Sequence, residues 1–191
     1  TAQEAGWIWD IGLPTRRGTG YVYSSAYTSD VEAERVLREY LQDFDGSARK
    51  ISINPGHRES FWYRNCVAVG ISAGFIEPLE ASALALIELS AAMIRDELPM
   101  SRQAMEIVSE RYNERFRYRW ERIVDFLKLH YVLSQRTDSA FWLDNCKPET
   151  IPGHLQQLLE LWRYRPPSHR DFHELEEIFP ASSYWYVLYR M

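Results

Sequence analysis

The sequence predicts an α+β protein in which a few strands are followed by a mainly helical region. Two patterns carry this prediction: apolar residues alternate near the start of the chain, and after about residue 81 they recur at helical spacing. Of the 191 residues, 46% are hydrophobic and 26% are charged, which is the composition of a chain able to bury a core. We therefore expect one domain, or two small ones.

The strands come first. In the segment WIWDIGL every second residue is apolar, so one face of a strand carries Trp7, Trp9, Ile11 and Leu13. The next segment, PTRRGTG, predicts a turn that leads into a second strand, YVYSS. The stretch GTGYVY at Gly18 lacks the third glycine of a dinucleotide fingerprint and is interpreted as a hairpin turn. The segments RKISI and SFWYRNCVAVG, separated by the turn residues NPGHRE, predict two more strands.

The first helix is predicted from its cap. Ser29 and Glu32 have capping-box spacing, apolar residues up to Phe44 follow at helical period, and Gly46 is typical of a helix end. A second helix is predicted at residues 81–98, entered just after Pro78. Later helices are predicted at residues 102 to about 135, 151–162 and 171–179.

Charge, cysteine content and hydropathy limit the function classes. The net charge of −5, with acidic and basic residues interspersed, argues against a nucleic-acid partner, which usually meets clustered basic surface. Cys66 and Cys146 form neither a disulfide framework nor a metal-binding pattern, so we expect a cytoplasmic protein. No run reaches the roughly 20 apolar residues of a membrane span, so we expect no membrane partner. The chain starts without a methionine or a signal peptide, and we expect it to begin partway into a longer protein.

The pattern GISAG offers a first candidate function. It has the G-x-S-x-G form of a nucleophile elbow, with Ser72 as the nucleophile of a serine hydrolase. An elbow requires a helix directly after the serine, and Pro78 would remove a hydrogen bond inside that helix. A serine hydrolase therefore stays an alternative. The remaining triad members would be Asp125 or Asp138, followed by His154 or His173.

The other histidines have simpler interpretations. His169 and His173 are four residues apart with Glu174 and Glu177 nearby, which is a possible metal spacing on a helix. We interpret this segment as a solvated helix start and expect no metal. His130, inside the segment FLKLHYVL, is interpreted as a hydrogen-bonded packing residue.

Two carboxylates, Glu77 and Glu80, flank a proline directly after an apolar run. In one interpretation GISAG forms an open turn at Gly70 and Gly74, and Pro78 stands near the first turn of the next helix, whose free amides form an anion site. Glu80, close to apolar residues, is then partly desolvated and suited to proton transfer. In the other interpretation both acids only cap the helix N-terminus.

Three long sequence blocks resemble parts of one known protein family, and this resemblance extends along the chain to about Trp162. The blocks GWIWDIGLPTRRGTGYVYSSAYTSDVEA, FWYRNCVAVGISAGFIEPLEASAL and VDFLKLHYVLSQRTDSAFW resemble, in order, successive blocks of the flavin-dependent tryptophan halogenase family. The resemblance implies the C-terminal part of a flavin monooxygenase-like FAD/NAD(P)-binding fold, because the family's N-terminal G-x-G-x-x-G segment is absent. Residues 1–100 would belong to the flavin-binding module, and residues 101–191 would form a helical region that covers the substrate.

The resemblance also implies a reaction. Reduced FAD (FADH2) and oxygen turn chloride or bromide into hypohalous acid, which halogenates tryptophan, indole or a similar electron-rich aromatic. A flavin reductase is the expected partner, and a homodimer is expected for the class. The family's glutamate orients the halogenating species and stabilises the cationic ring or takes up its proton. The implied site residues are Glu80 as that glutamate, Ser82 and Ala83 as halide ligands, Trp7 and Trp9 as a wall beside the flavin, and Gly70, Gly74 and Pro78 beside the cofactor.

The chain departs from the family pattern in three places. Gly12 replaces the proline of the tryptophan motif, and Ala81, Ser82 and Ala83 replace serine, threonine and glycine after the glutamate. Ala83 keeps the backbone amide but adds a methyl group where the halide approaches. The family's catalytic lysine has no match among Lys50, Lys128 and Lys147, so the chain is expected to be inactive alone. A non-catalytic family member with a binding or structural role is a second alternative.

Overall fold

The computed structural model describes residues 1–42, 46–172 and 177–191. The chain divides into two compact units: Thr1–Ser52 with Tyr131–Ile151, and Ile53–His130 with Pro152–Met191. The prediction of a few strands followed by a mainly helical region is confirmed. The expected division at residue 100 falls inside the second unit, and the functions assigned to the two halves of the chain stay predictions.

Most strands are short, and each pairs in antiparallel fashion. The strands are β1 (Ala2–Gln3), β2 (Gly6–Leu13), β3 (Arg16–Tyr23), β4 (Gly56–His57), β5 (Trp62–Tyr63), β6 (Cys66–Val67) and β7 (Gly74–Phe75). The helices are α1 (Asp30–Leu41), α2 (Ala83–Asp96), α3 (Arg102–Val132), α4 (Ala140–Asn145), α5 (Gly153–Leu161) and α6 (Ala181–Arg190). Single 3-10 turns lie at Gly70–Ser72, Pro148–Thr150 and His169–Asp171.

The sheet of the first unit has the strand order β1-β2-β3. The alternating segment forms β2, as predicted. The hairpin turn predicted at Gly18 is wrong, because Gly18 lies inside β3 opposite Ile11. The turn is made by Pro14 and Thr15 alone, since proline fixes a φ value that turns favour, and the rest of the predicted turn extends β3.

The cap of α1 is confirmed in part. Ser29 Oγ accepts a hydrogen bond from the Glu32 N–H at 3.2 Å. The Glu32 carboxylate turns to Arg35 instead of the cap, so one half of the capping box forms. The predicted continuation to Phe44 lies outside the described residues. Helix α4, which no pattern predicted, is held by Trp142, whose indole N–H donates to the β1 backbone at 2.8 Å.

The strand predictions between residues 49 and 70 are only partly correct. The segment RKISI is irregular, and Ile51 is 68% exposed. The segment SFWYRNCVAVG forms β5 and β6 rather than one strand, because the chain turns at Arg64 and Asn65, with a left-handed φ of 55° at Arg64. Strand β4 lies inside the predicted turn NPGHRE and pairs with β7.

The core of the second unit forms around α3. The Phe126 ring stacks on Phe179 with ring centroids 4.0 Å apart, and the fully buried Tyr184 of α6 meets it nearly at a right angle, at 4.8 Å. This packing holds in place the C-terminal half of α3, which contains His130. Buried side chains recur along one face of α3 at Tyr112, Phe116, Ile123, Phe126 and Leu129.

The C-terminal segment differs from its prediction. In place of a helix at residues 171–179, the described part has a 3-10 turn at His169–Asp171 and irregular residues 177–180. His173 and Glu174, the other residues of the possible metal spacing, lie outside the described residues. Helix α6 follows and was not predicted. Across the described ranges, no helix combines the length and the apolar character needed to cross a bilayer.

Candidate functional site

The two carboxylates around Pro78 lie in an irregular segment between β7 and α2. Helix α2 begins at Ala83, and the first turn of this fully described helix holds no acidic side chain. Glu77 and Glu80 therefore do not cap it, and the capping interpretation is wrong. The expected position of Pro78 near the first helical turn is also wrong, because the chain bends at residues 78–80 before the helix starts.

Ala81 separates this bend from the helix. Its φ of 49° is in the left-handed region, which costs a residue with a side chain roughly 1–2 kcal/mol. Such sparsely populated backbone conformations are concentrated at functional sites. The position of Glu80 is therefore set by a tight turn and not by the geometry of α2.

The Glu80 carboxylate meets His130 of α3. Glu80 Oε1 lies 2.9 Å from His130 Nε2, and the other ring nitrogen, Nδ1, lies 2.8 Å from the carbonyl oxygen of Phe126. The His130 side chain is 15% exposed and packs edge-on against the Phe126 ring, whereas the Glu80 side chain is 35% exposed. His130 is a hydrogen-bonded packing residue, as predicted, but its contact with Glu80 was missed because no local pattern signals it.

Ser82 and Ala83 stand where the chain enters α2. Ser82 is 9% exposed, and among the described residues its hydroxyl caps no amide of the helix. The first hydrogen bond of the helix runs from the Leu86 N–H to the Ser82 carbonyl at 3.1 Å, so the earlier amides have no carbonyl of the same helix to bind. A hydroxyl and helix-start amides are donors that suit an anion. The assignment of these residues to halide stays a prediction.

The two glycines of GISAG have local structural roles. Gly70 adopts a left-handed φ of 63°, which glycine does without strain. Gly74 lies in β7, where a Cβ atom would stand 2.7 Å from the Cβ of His57 in β4. The segment forms a 3-10 turn and then a strand, and not the open turn that was expected. Cofactor contact at Gly70, Gly74 and the exposed Pro78 stays a prediction.

Trp7 and Trp9 belong to the first unit, whereas residues 80–83 belong to the second. On β2 the buried side chain is Ile8, at 2% exposure, while both tryptophans are half-buried on the opposite strand face. The Trp9 indole lies across β3, because a Cβ atom at Gly20 would stand 2.6 Å from its Cε2, Cζ2 and Nε1 atoms. The glycine at this position therefore leaves the space that the indole occupies.

The structure contradicts a nucleophile elbow at Ser72. The serine ends a 3-10 turn and is followed by β7 instead of a helix. Its Oγ donates to the Val69 carbonyl at 2.8 Å and accepts from the Val69 N–H at 3.0 Å. Both contacts hold the hydroxyl within its own turn, so the serine hydrolase interpretation loses its nucleophile.

Two of the suggested triad residues, Asp125 and His154, do meet, but their third partner is Arg122. Asp125 Oδ2 lies 2.9 Å from His154 Nδ1 and 2.9 Å from Arg122 Nη2, and Arg122 Nη1 lies 3.2 Å from His154 Nε2. The Asp125 side chain is 2% exposed, and burial raises its pKa although Arg122 and His154 act in the opposite direction. This cluster joins α3 to α5 and lines a cavity of about 250 Å³.

Comparison with known proteins gives consistent matches over the whole chain. The sequence model of the family described as tryptophan halogenase matches residues 1–191. The chain is 35% identical to tryptophan 6-halogenase SttH from Streptomyces toxytricini, over 98% of this chain and 36% of that protein. This chain is therefore much shorter than that relative.

Solved structures give the same result for the fold. A crystal structure of a tryptophan halogenase from Shewanella frigidimarina matches with a TM-score of 0.93 and 53% identity, over 98% of this chain and 37% of that one. BrvH, a flavin-dependent halogenase from Brevundimonas sp. BAL3, matches with a TM-score of 0.82 and 34% identity, over 97% and 37% of the two chains. The chain thus spans a little over a third of the length of these relatives.

Proposed function

The chain belongs to the tryptophan halogenase family, and from this membership we propose that it is the C-terminal portion of an FADH2- and O2-dependent halogenase. Its substrate is tryptophan, indole or a similar electron-rich aromatic, and hypohalous acid is the halogenating agent. The observation that supports this most directly is the 2.9 Å contact of Glu80 with His130, which holds a carboxylate in a turn outside the helix. In this proposal the fold is the C-terminal part of a flavin monooxygenase-like FAD/NAD(P)-binding fold, with residues 1–100 in the flavin module and residues 101–191 covering the substrate.

Glu80 acts on the aromatic ring. When bound, reduced FAD supplies the hypohalous acid from oxygen and halide. Electrophilic attack leaves the ring with a positive charge, and the proton on the halogenated carbon must then leave. The Glu80 carboxylate is half-shielded from water, so it stabilises that charge and accepts the proton more effectively than bulk solvent does.

Ser82 and Ala83 hold the halide. The fit rests on the buried Ser82 side chain beside the start of α2, where a hydroxyl and helix-start amides provide donors to an anion. The Ala83 methyl group narrows this site relative to the family's glycine. Gly70, Gly74 and the exposed Pro78 border the cofactor, and the left-handed backbone at Gly70 is one that glycine adopts without strain.

The remaining parts of the reaction lie outside residues 70–83. Trp7 and Trp9 form a wall that keeps the substrate away from the flavin. The family's catalytic lysine has no match among Lys50, Lys128 and Lys147, and two of these pair with carboxylates on exposed surface, Lys50 with Asp30 and Lys147 with Asp144. A separate flavin reductase supplies FADH2, chloride or bromide is the halide, and the enzyme acts in the cytoplasm as a homodimer. The chain alone is therefore inactive.

The test uses the complete polypeptide that contains this chain. Tryptophan and indole are incubated with it, a flavin reductase, NADH, FAD, oxygen and bromide, and products are measured by mass spectrometry. We expect a product in which one hydrogen is replaced by bromine. Glu80→Gln lowers its rate by about a hundred-fold or more, because the proton acceptor is lost, while FAD binding measured by flavin fluorescence is retained.

The matched control is Glu88→Gln, the same chemical change on the exposed face of α2, which leaves the product yield unchanged. If Glu80→Gln halogenates as well as the unmodified protein, the role of Glu80 is wrong. If the complete protein binds neither flavin nor halide, the non-catalytic alternative replaces the halogenase.

A further inference from the structure

The two hydrogen bonds of His130 define where its protons are. A backbone carbonyl only accepts hydrogen bonds, so Nδ1, at 2.8 Å from the Phe126 oxygen, carries a proton. The 2.9 Å contact between Nε2 and Glu80 Oε1 is then bridged by one further proton. Because the proton on Nδ1 is committed to the backbone, His130 faces Glu80 in one fixed ring orientation.

We propose that His130 is a positioning residue for Glu80, an inference that rests on the proposed role of Glu80 in halogenation. The imidazole donates from Nε2 to Oε1 and so restrains the rotation of the carboxylate. Among the described residues, Oε1 is the Glu80 oxygen that accepts a hydrogen bond. Oε2 therefore stays available to the aromatic substrate.

The anchor is rigid because the imidazole belongs to the core of the second unit. Its ring packs edge-on against Phe126 with centroids 5.1 Å apart, and Phe126 is itself 2% exposed between Phe179 and Tyr184. Glu80, in contrast, lies in a turn and is 35% exposed. A rigid donor thus fixes a side chain that its own backbone segment would leave free to rotate, and this preorganisation lowers the barrier of the step it serves.

The step balances without another reactant. After halogen has bonded to the ring, the C–H bond at that carbon breaks and its electron pair restores the aromatic system. The proton moves to Glu80 Oε2, which turns the carboxylate into a neutral acid and the cationic ring into the neutral product. The proton later leaves Oε2 for solvent, while the Nε2–H bond to Oε1 holds the side chain in place throughout.

The test compares His130→Phe and His130→Gln in the complete protein with tryptophan, bromide and a flavin reductase. His130→Phe keeps a ring but loses the donor, and we expect kcat to fall by about ten- to a hundred-fold with KM for tryptophan unchanged. His130→Gln retains an N–H donor and recovers part of this loss. Hypobromous acid released without tryptophan, trapped by bromination of phenol red, stays at its normal level because Glu80 acts after that acid has formed.

A double variant gives the most direct result. If His130 acts through Glu80, then Glu80→Gln combined with His130→Gln is no slower than Glu80→Gln alone, because the two changes remove one function. Losses that multiply in the double variant would overturn the proposal, as would a normal kcat in His130→Phe. Loss of FAD binding or of hypobromous acid in both His130 variants would also overturn it, since His130 would then be a general structural residue.

The Glu80 and His130 variants distinguish the proposed function of Glu80 from the positioning role of His130. A normal rate in Glu80→Gln refutes the proposed function of Glu80, whatever His130 does. A low rate in Glu80→Gln together with normal rates in both His130 variants refutes only the positioning role. The matched control is His169→Gln, the same replacement at an exposed 3-10 turn, which leaves kcat unchanged.

Discussion

The pairs Asp125–His154 and Glu80–His130 are both carboxylate–histidine contacts of 2.9 Å that involve α3. They differ in their exposure and in the groups that contact their other atoms. In the first pair, Arg122 contacts both partners and the carboxylate is 2% exposed. In the second, the other imidazole nitrogen, Nδ1, contacts a backbone carbonyl and the carboxylate is 35% exposed. We call the first the closed pair and the second the open pair. The two pairs therefore have the same distance between carboxylate and imidazole and differ in exposure and in the groups that contact their remaining atoms.

The largest expected effect is at the closed pair. Asp125→Ala removes the 2.9 Å carboxylate partner of the Arg122 guanidinium, whose side chain is 7% exposed, and leaves it the longer 3.9 Å contact with the exposed Glu121. Removing one partner of a buried ion pair costs about 3–5 kcal/mol in the free energy of unfolding. Urea unfolding of the variant measures this loss.

The matched control for that experiment is Asp138→Ala. Asp138 pairs with Arg136, but its side chain is 53% exposed, so its removal costs about 1 kcal/mol or less. If Asp125→Ala loses no more than this control, the cluster on α3 is not a closed structural network and the contrast between the two pairs fails.

A third carboxylate, Asp171, extends the comparison because hydrogen-bond donors other than histidine contact it. Burial raises the pKa of Asp171, but hydrogen bonds from Arg165, Trp162 and the Ser168 amide outweigh burial and hold this pKa at about 2. The folded-state pKa lies below the unfolded value of 3.8, so the contribution of Asp171 to stability is present above pH 3.8 and is lost as the pH falls through about 2.

Asp171→Asn therefore lowers the free energy of unfolding by about 1–2 kcal/mol at neutral pH, and the difference from the unmodified protein shrinks in acid. Urea midpoints measured from pH 7 down to the lowest pH at which the protein stays folded give this dependence. A difference that stays constant with pH would mean that the carboxylate contributes through packing and not through its charge.

The smallest expected effect is at the open pair. Glu80→Gln changes the free energy of unfolding by less than about 1 kcal/mol, because the contact is partly exposed and the glutamine side chain still accepts a hydrogen bond. Thermal unfolding measures this change. A loss as large as that of Asp125→Ala would place Glu80 among the structural carboxylates and remove the contrast.

Local features of the fold were predictable because they depend on neighbouring residues. Alternation defined β2, the spacing of Ser29 and Glu32 defined the start of α1, and a long periodic run defined α3. The strands from β4 to β7 are two residues long, which is too short for any alternating pattern, and Arg64 takes a left-handed φ that its residue type does not signal. These elements form because tertiary contacts outweigh local preference.

Less of the candidate site than of the fold was predictable from local sequence patterns. Glu80 and Ser82 were identified from a family resemblance, and the spacing of the acids around Pro78 suggested a helix cap that the structure does not have. The contact of Glu80 with His130 depends on how α3 packs, and α3 is far away in the sequence. Its histidine had no sequence feature that distinguished it from an ordinary packing residue.

The left-handed turn at Ala81 has a consequence for protein engineering. The turn and the imidazole that receives Glu80 are encoded by separate stretches of the chain, so a chimera that imports residues 76–83 from a relative acquires only one of the two. Such a graft needs a compatible residue at position 130 of the host helix, since groups in direct contact are energetically coupled. Mutant libraries confined to the loop would sample half of the relevant variation, and productive libraries would randomise both stretches together.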